Sequence, residues 1–212
     1  MTTGDQDQHN HPDSDDEVAA GHGYKAPQKV DIGSIVAKDE DDESLTRYKK
    51  LLLGNTTDGK RVENLVIDPN DLRIVLPVRI TILFENHKPD VIFDLTGSIE
   101  KVRGLHSKRS VVIKEGEAYR TQFEYYVQRD IVTGLKLTNK IVKTRITVDK
   151  SKYMIGSKAP NSELQSYVTE IEQAPSGMLS RGTFLVKSKI IDDDKNIFAE
   201  WEWHLVIAKD WQ

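Results

Sequence analysis

Regular alternation of polar and apolar residues constrains the fold of this chain more than any other feature. Apolar side chains occupy every second position in segment 78–84, and segment 119–127 alternates in the same way. A period of two places successive side chains on opposite faces of a β-strand. Further apolar runs lie at 91–95, 110–113, 131–148, 167–169, 182–191 and 197–208, with turn residues between most of them. The pattern predicts seven or eight antiparallel strands, which is typical of a β-sandwich.

We find helical periodicity only in residues 31–54. Apolar residues recur there at intervals of three and four, in two groups: Ile32, Ile35 and Val36, then Leu45, Tyr48 and Leu52. Acidic residues precede the second group and basic residues end it, and both placements suit the helix dipole. Two short amphipathic helices are predicted, each near or below the length that is stable alone in water. Their apolar faces dock either on the chain's own β domain or on another protein.

Charge divides the chain into two unequal parts. Residues 1–46 carry a net charge of −9 and residues 47–212 a net charge of +5, within a total of −4. Phosphates repel the acidic part, which argues against nucleic acid as its partner. There is no cysteine, so disulfides and thiolate metal sites are excluded. The acidic N-terminus lacks the features of a secretory signal, and no apolar run is long enough to cross a membrane, so we expect a cytoplasmic protein. We divide the chain into a disordered acidic tail at 1–23, a helical arm and linker at 24–64, and a β-sandwich at 65–212.

The sequence contains no phosphate-binding glycine loop, no nucleophile elbow and no HExxH motif. We therefore expect a binding protein without a cofactor or resident metal rather than an enzyme. The run Asp192–Asp194 is open to three interpretations: a plain hairpin turn, part of a calcium site, or an acidic contact for a basic partner. Trp201 and Trp203 share one strand face with Leu205 and Ile207, either as core residues or as the lining of an apolar cavity.

Several short motifs, spread from residue 24 to the C-terminus, form a recognisable combination. In the arm they are Tyr24-Lys25-x-Pro27, Asp41-Asp42-Glu43-Ser44-Leu45, Tyr48-Lys49 and Leu52-Leu53-Gly54. In the β domain they include Asp94-Leu95-Thr96-Gly97, Lys114-Glu115-Gly116, Ala174-Pro175-x-Gly177-Met178-Leu179, Trp201-Glu202-Trp203 and Lys209-Asp210-Trp211. Taken together and in this order, they resemble the Rho GDP-dissociation inhibitor family.

The resemblance implies an immunoglobulin-like sandwich and a protein that is not an enzyme. Members of this family bind prenylated Rho-type and Rac-type GTPases in the GDP form, hold them in the cytosol with only transient membrane proximity, and block GDP release. The arm would grip the switch regions of the GTPase through Tyr24, Asp42, Ser44, Leu45, Tyr48, Leu52 and Leu53. Basic groups of the GTPase would meet Asp149, Asp193 and Asp194. A cavity in the sandwich would take the geranylgeranyl tail, lined by Ile82, Val111, Tyr119, Val186 and Trp203.

The chain also departs from the family pattern. The stretch between Gly54 and Asp94 is longer than usual, and Val142 stands where an aromatic residue is common. Lys140 and Lys143 add charge nearby. We expect these differences to reshape the rim of the cavity.

Overall fold

The computed structural model describes residues 65–85 and 89–211. Within these ranges the chain forms ten β-strands and one α-helix. In chain order they are β1 (Val75–Phe84), β2 (Val91–Asp94), α1 (Ile99–His106), β3 (Ser110–Lys114), β4 (Ala118–Val127), β5 (Val132–Lys143), β6 (Ile146–Lys158), β7 (Asn161–Val168), β8 (Glu172–Gln173), β9 (Gly182–Ile191) and β10 (Ile197–Ala208). The predicted arm and the acidic tail before it lie outside the described residues, so the two predicted helices stay predictions.

The strands form two five-stranded sheets. The first sheet has the order β2-β1-β4-β7, and β8 also pairs with β4. The second has the order β3-β10-β9-β5-β6. All pairings are antiparallel except that of β3 with β10, which is parallel and sets Val111 opposite Leu205. The prediction of antiparallel strands throughout is therefore wrong for β3, because its partner comes from the far end of the chain rather than from a hairpin.

Two further differences concern strand boundaries. The predicted stretch 131–148 is interrupted by a tight turn at Thr144 and Arg145, whose φ angles are 50° and 70°. Neither residue is a typical former of such a turn, so local sequence preference does not indicate it. The short strand predicted near Tyr167 is the end of the eight-residue β7, whose composition is largely polar because most of its residues are exposed.

The helix α1 was not predicted, since helical periodicity was assigned only to residues 31–54. The side chain of Ser98 caps it by accepting a hydrogen bond from the backbone N–H of Lys101 at 3.2 Å. Its buried side chains are Val102 and His106, and Nε2 of His106 lies 2.6 Å from the carbonyl oxygen of Asp94. Eight residues with two buried positions carry too little periodicity to stand out in a sequence.

The core lies between the inward faces of the two sheets, as the alternation predicts. In β4, Phe123 and Tyr125 are buried and their rings stack with centroids 4.6 Å apart. Phe93 of the first sheet contacts Trp203 of the second, with ring centroids 5.2 Å apart. Trp201 and Trp203 do share one buried face of β10. The arrangement confirms the mainly β prediction and is consistent with an immunoglobulin-like sandwich.

Candidate functional site

A cavity of about 330 Å³ lies between the two sheets. This volume is at the lower end of the ~300–1,000 Å³ typical of small-molecule sites. Its apolar wall is formed by side chains that both sheets turn inward, namely Ile82, Ile113, Ile141, Val186, Trp203 and Leu205. The other eight lining residues carry polar or charged groups: Tyr119, Thr121, Asn139, Asp149, Lys150, Ser151, Tyr153 and Glu172. The cavity therefore suits a ligand with an apolar part and a polar part.

The structure brings together four of the five residues predicted to line an apolar pocket. They are Ile82, Tyr119, Val186 and Trp203. Val111 lies in the core with 3% of its surface exposed, and β3 contributes Ile113 to the cavity instead. Residues two apart on a strand face the same way, so Val111 has the expected direction but lies at a different level of the sandwich.

Sequence reasoning missed other parts of the lining. Leu205 lies two residues beyond Trp203 on the same strand, and the two-residue period would have indicated it. Ile141 lies directly opposite Val186 on the neighbouring strand. Identifying Ile141 requires the register between β5 and β9, and alternation alone does not supply a register.

A short chain of hydrogen bonds holds Trp203 in the cavity wall. Its indole Nε1–H donates to Ser188 Oγ at 3.1 Å, and that hydroxyl donates to Asn139 Oδ1 at 2.7 Å. An unpartnered buried N–H group would cost about 1–3 kcal/mol. The chain therefore favours one orientation of the indole ring. A second, smaller cavity of about 30 Å³ lies beside the first, and Asn139 and Trp203 border both.

The cavity opens between β6 of the second sheet and β8 of the first, where its exposed and half-exposed lining residues lie. The hydroxyls of Tyr119 and Tyr153 both lie close to the carboxylate of Glu172. Tyr119 and Glu172 belong to the first sheet and Tyr153 to the second, so this set of three residues, here named the mouth bridge, joins the sheets across the opening. Burial, followed by the nearby Glu172, raises the pKa of both tyrosines, which keeps both hydroxyls protonated as donors.

The three aspartates of the β9–β10 turn have different roles. Asp192 is buried, and its carboxylate accepts hydrogen bonds from the backbone N–H and side-chain Nδ2 of Asn196, both at 2.8 Å. The plain-turn interpretation is therefore correct for Asp192. Asp193 pairs with Lys136 at 2.9 Å, and Asp194 is exposed.

A glycine makes room for Asp193. Gly134 has a φ of +58°, and a Cβ added there would lie 1.9 Å from Asp193 Oδ2. Only glycine combines that backbone conformation with so close an approach. The position carries no signal in the sequence, because the neighbour that excludes a side chain lies 59 residues away, in the β9–β10 turn.

The remaining predicted residues fall into two groups. Asp149 is exposed on β6, where it forms part of the cavity lining at the opening. The seven arm residues lie outside the described residues: Tyr24, Asp42, Ser44, Leu45, Tyr48, Leu52 and Leu53. In residues 65–85 and 89–211 there is no group of three or more acidic or histidine side chains that could hold a metal ion. Within the same part of the chain, no helix has both the length and the apolar character needed to cross a bilayer.

The chain is similar to several known proteins. The family model described as RHO protein GDP dissociation inhibitor matches residues 6–210. A Caenorhabditis elegans protein named probable rho GDP-dissociation inhibitor is 42% identical over 187 residues, covering 88% of this chain and 92% of its own length. The human Rho GDP-dissociation inhibitor 1 is 38% identical over 189 residues, covering 89% of this chain and 87% of its own length. A solved structure of a Niemann-Pick type C2 protein from the Japanese carpenter ant aligns with this chain at a TM-score of 0.39 and 7% identity. The alignment covers 68% of this chain and 99% of that one. This similarity is too low to carry any inference.

Proposed function

The chain belongs to the Rho GDP-dissociation inhibitor family, and we propose on that basis that it binds prenylated Rho-type GTPases, blocks their GDP release and removes them from membranes. The observation that carries this proposal is the cavity between the sheets, with an apolar wall that includes Trp203 and an opening beside Glu172. The protein acts by binding alone, as a cytoplasmic carrier, and catalyses no reaction.

The cavity takes the geranylgeranyl tail of the GTPase in this proposal. Each buried CH₂ contributes about 0.8 kcal/mol, so a twenty-carbon tail gains on the order of 10 kcal/mol or more on leaving water. The bilayer offers the tail a similar gain. Transfer of the tail from the bilayer to the cavity is therefore close to neutral, and contacts between the two proteins must decide its direction.

A twenty-carbon tail is large for a cavity of about 330 Å³. We expect the sheets to move apart at the open edge as the tail enters. The residues that resist this movement are those of the mouth bridge, because Tyr153 and Glu172 belong to opposite sheets. Entry of the tail then requires Tyr153 and Glu172 to move apart.

The arm supplies the protein–protein contacts. Its two helices fold on the GTPase and hold the switch regions, with Leu45, Tyr48 and Leu52 as the apolar face. Ordering the arm costs conformational entropy, which this face must more than offset. Asp42 and Ser44 accept hydrogen bonds from one switch loop, and a fixed switch retains the nucleotide. Tyr24 and Leu53 add contacts at the two ends of the arm.

Acidic side chains on the sandwich guide the basic C-terminal segment of the GTPase. Asp149 is exposed where the cavity opens, so a basic segment that follows the tail would pass close to it. Asp194 is exposed in the β9–β10 turn, and Asp193 is available to a basic partner in exchange for Lys136. Such charge pairing accelerates association most strongly at low ionic strength.

Replacing Trp203 tests the cavity. Trp203→Ala is expected to reduce extraction of a prenylated Rac-type or Rho-type GTPase from vesicles more than it reduces binding of the unprenylated GTPase. Trp211→Ala is the matched control, because Trp211 packs edge-on against Phe84 at 5.2 Å and is not part of the cavity lining. Equal losses in both assays would assign Trp203 to the core alone.

Replacing arm residues tests the switch contact. Asp42→Ala combined with Tyr48→Ala is expected to accelerate GDP release from the complex while binding of a geranylgeranylated peptide stays unchanged. Unchanged GTPase affinity would refute the role of the arm. A peptide that binds as tightly as the whole prenylated GTPase would instead indicate a general carrier of lipidated proteins.

A further inference from the structure

Three of the four most exposed large apolar side chains of the described residues lie at one end of the sandwich. The four large ones with the highest exposure are Leu179 (93%), Met178 (82%), Leu72 (81%) and Ile146 (69%). Leu72 precedes β1, at the end where Val75 pairs with Val127. The other three lie at the opposite end, where β1 finishes and the cavity opens. Exposed apolar side chains that cluster in this way mark a contact surface.

Met178 and Leu179 are displayed by a rigid turn. The turn is a single 3-10 turn at Met178–Ser180. The backbone N–H of Gly177, just before it, donates to the Glu115 carboxylate at 3.0 Å. Arg181, just after it, makes two hydrogen bonds to the same carboxylate, at 2.9 and 2.7 Å. Because hydrogen bonds hold both ends of the turn, the folded structure itself keeps the two apolar side chains exposed.

Lys143 connects this turn to the β5–β6 hairpin. Its Nζ donates to the carbonyl oxygens of Leu179 at 3.4 Å and Arg181 at 3.1 Å, and lies 4.7 Å from the centre of the Phe184 ring. In the hairpin, Lys143 is directly opposite Ile146. The exposed side chain of Ile146 therefore stands beside the turn that carries Met178 and Leu179.

Ile146, Met178 and Leu179 together form what we name the apolar rim. Ile146 begins β6, and the turn with Met178 and Leu179 leads into β9 of the same sheet. The rim therefore lies at the end of the sandwich where β1 finishes and the cavity opens.

Positive charge accompanies the apolar rim. Lys143 and Arg181 flank the turn, Arg145 is exposed at the tip of the hairpin, and Lys209 lies close enough to lower the pKa of Glu115. The acidic groups beside the turn are Glu115, which Arg181 neutralises, and Asp210. Asp149 and Glu172 add two carboxylates at the opening itself, so the positive charge is concentrated at the turn. Apolar side chains protruding from a convex turn among cations match a bilayer with anionic headgroups, whereas a protein segment fits a groove better.

We propose that the apolar rim contacts an anionic lipid bilayer and sets the cavity opening directly on the membrane surface. This inference rests on the proposed function, since its purpose is the transfer of a lipid tail. With the opening on the bilayer, the tail passes from lipid to cavity without crossing water. A tail released into water first would lose the whole gain from burial before regaining it.

Vesicle sedimentation of the full chain without any GTPase tests the contact. Met178→Ser combined with Leu179→Ser is compared with Leu72→Ser, which removes an equally exposed apolar side chain at the other end. We expect the double variant to bind phosphatidylcholine–phosphatidylserine vesicles about a hundredfold more weakly, because burial of each of the two apolar side chains contributes roughly a factor of ten or more. Leu72→Ser is expected to bind like the unmodified chain. Lys143→Gln is expected to weaken binding to these vesicles and to leave binding to phosphatidylcholine alone unchanged.

A geranylgeranylated peptide in solution separates this inference from the proposed function. The double variant should bind the peptide normally and extract a prenylated GTPase from vesicles more slowly. The inference is overturned if the unmodified chain does not bind the vesicles, or if the double variant binds them as tightly as the unmodified chain. Either result overturns it even when the peptide binds. Loss of affinity for the soluble GTPase in the double variant also overturns it, because the turn would then contact the partner protein. Vesicle binding in a chain that fails to bind the peptide supports the bilayer contact and refutes the proposed function.

Discussion

The mouth bridge predicts that removing one hydroxyl group will accelerate entry of a prenyl tail. Tyr153→Phe removes the hydroxyl that can donate to Glu172 across the opening between the sheets and keeps the aromatic ring. A hydrogen bond to a charged group contributes about 1.5–3 kcal/mol to stability. Tyr153 and Glu172 are both half-buried, so water compensates for part of the loss and the lower value applies. Since about 1.4 kcal/mol corresponds to a factor of ten in rate, we expect roughly tenfold faster association.

Stopped-flow mixing with a fluorescent geranylgeranylated peptide measures this rate. Tyr125→Phe is the matched control, because Tyr125 is a buried tyrosine whose pKa burial alone raises, to about 12, and it does not line the cavity. Its association rate should equal that of the unmodified chain. Glu172→Gln removes the charge that both tyrosines contact and should accelerate association at least as much as Tyr153→Phe.

Two results would refute this account of the opening. One is an association rate that stays the same or falls in Tyr153→Phe, since the sheets would then not need to part there. The other is equal acceleration in Tyr125→Phe, which would reflect a general loosening of the sandwich. Urea unfolding of both variants identifies such loosening directly.

Three further predictions concern contacts elsewhere in the sandwich. Ser188→Ala leaves the cavity tryptophan without its acceptor and should weaken peptide binding by up to about tenfold in calorimetry, with little effect on GDP release in the bound GTPase. Asp192→Ala should lower the free energy of unfolding measured in urea by about 1–3 kcal/mol. Asp194→Ala should leave that free energy unchanged and weaken only GTPase binding. Equal destabilisation by the two substitutions would contradict their separate roles. Arg181 and the Gly177 N–H lower the pKa of Glu115 to about 2 from an ordinary value of 4.5. The Glu115–Arg181 ion pair therefore stabilises the fold fully above pH 4.5, and this contribution is lost as the pH falls towards 2. The difference in stability between the unmodified chain and Glu115→Gln should therefore shrink in urea titrations as the pH is lowered from 7 to 3.

Much of the fold could be predicted from local pattern, because a β-strand with one buried face has an apolar residue at every second position. The hairpin from Gly182 to Ala208 matches the prediction to the residue, since both strands alternate clearly and an Asp-rich turn separates them. Prediction failed where the alternation of apolar and polar residues is weak or absent. The turn at Thr144 and Arg145 uses residues without turn preference, β7 is mostly exposed, and α1 has only two buried positions.

The candidate site was predictable only in part. The face of Trp203 follows from alternation, but its hydrogen-bond partner Ser188 lies 15 residues away and is fixed by the register of β9 against β10. Glu172 belongs to a two-residue strand that no periodicity can identify. Its importance depends on Tyr153, which belongs to the other sheet. Contacts between sheets are set by how the layers stack, and a single sequence contains no signal for that stacking.

The persistence of a cavity in this sandwich itself needs a cause, because protein interiors ordinarily pack without voids. Polar residues occupy inward positions in the middle of the second sheet, where Asn139 of β5 lies directly opposite Ser188 of β9. Their hydrogen bond, continued to the indole of Trp203, satisfies these groups within their own sheet. An apolar side chain from the first sheet gains little by packing against groups already satisfied in this way, and larger apolar residues at both positions would fill the space. The polar chain therefore orients the tryptophan and leaves space between the two sheets at the level of the cavity.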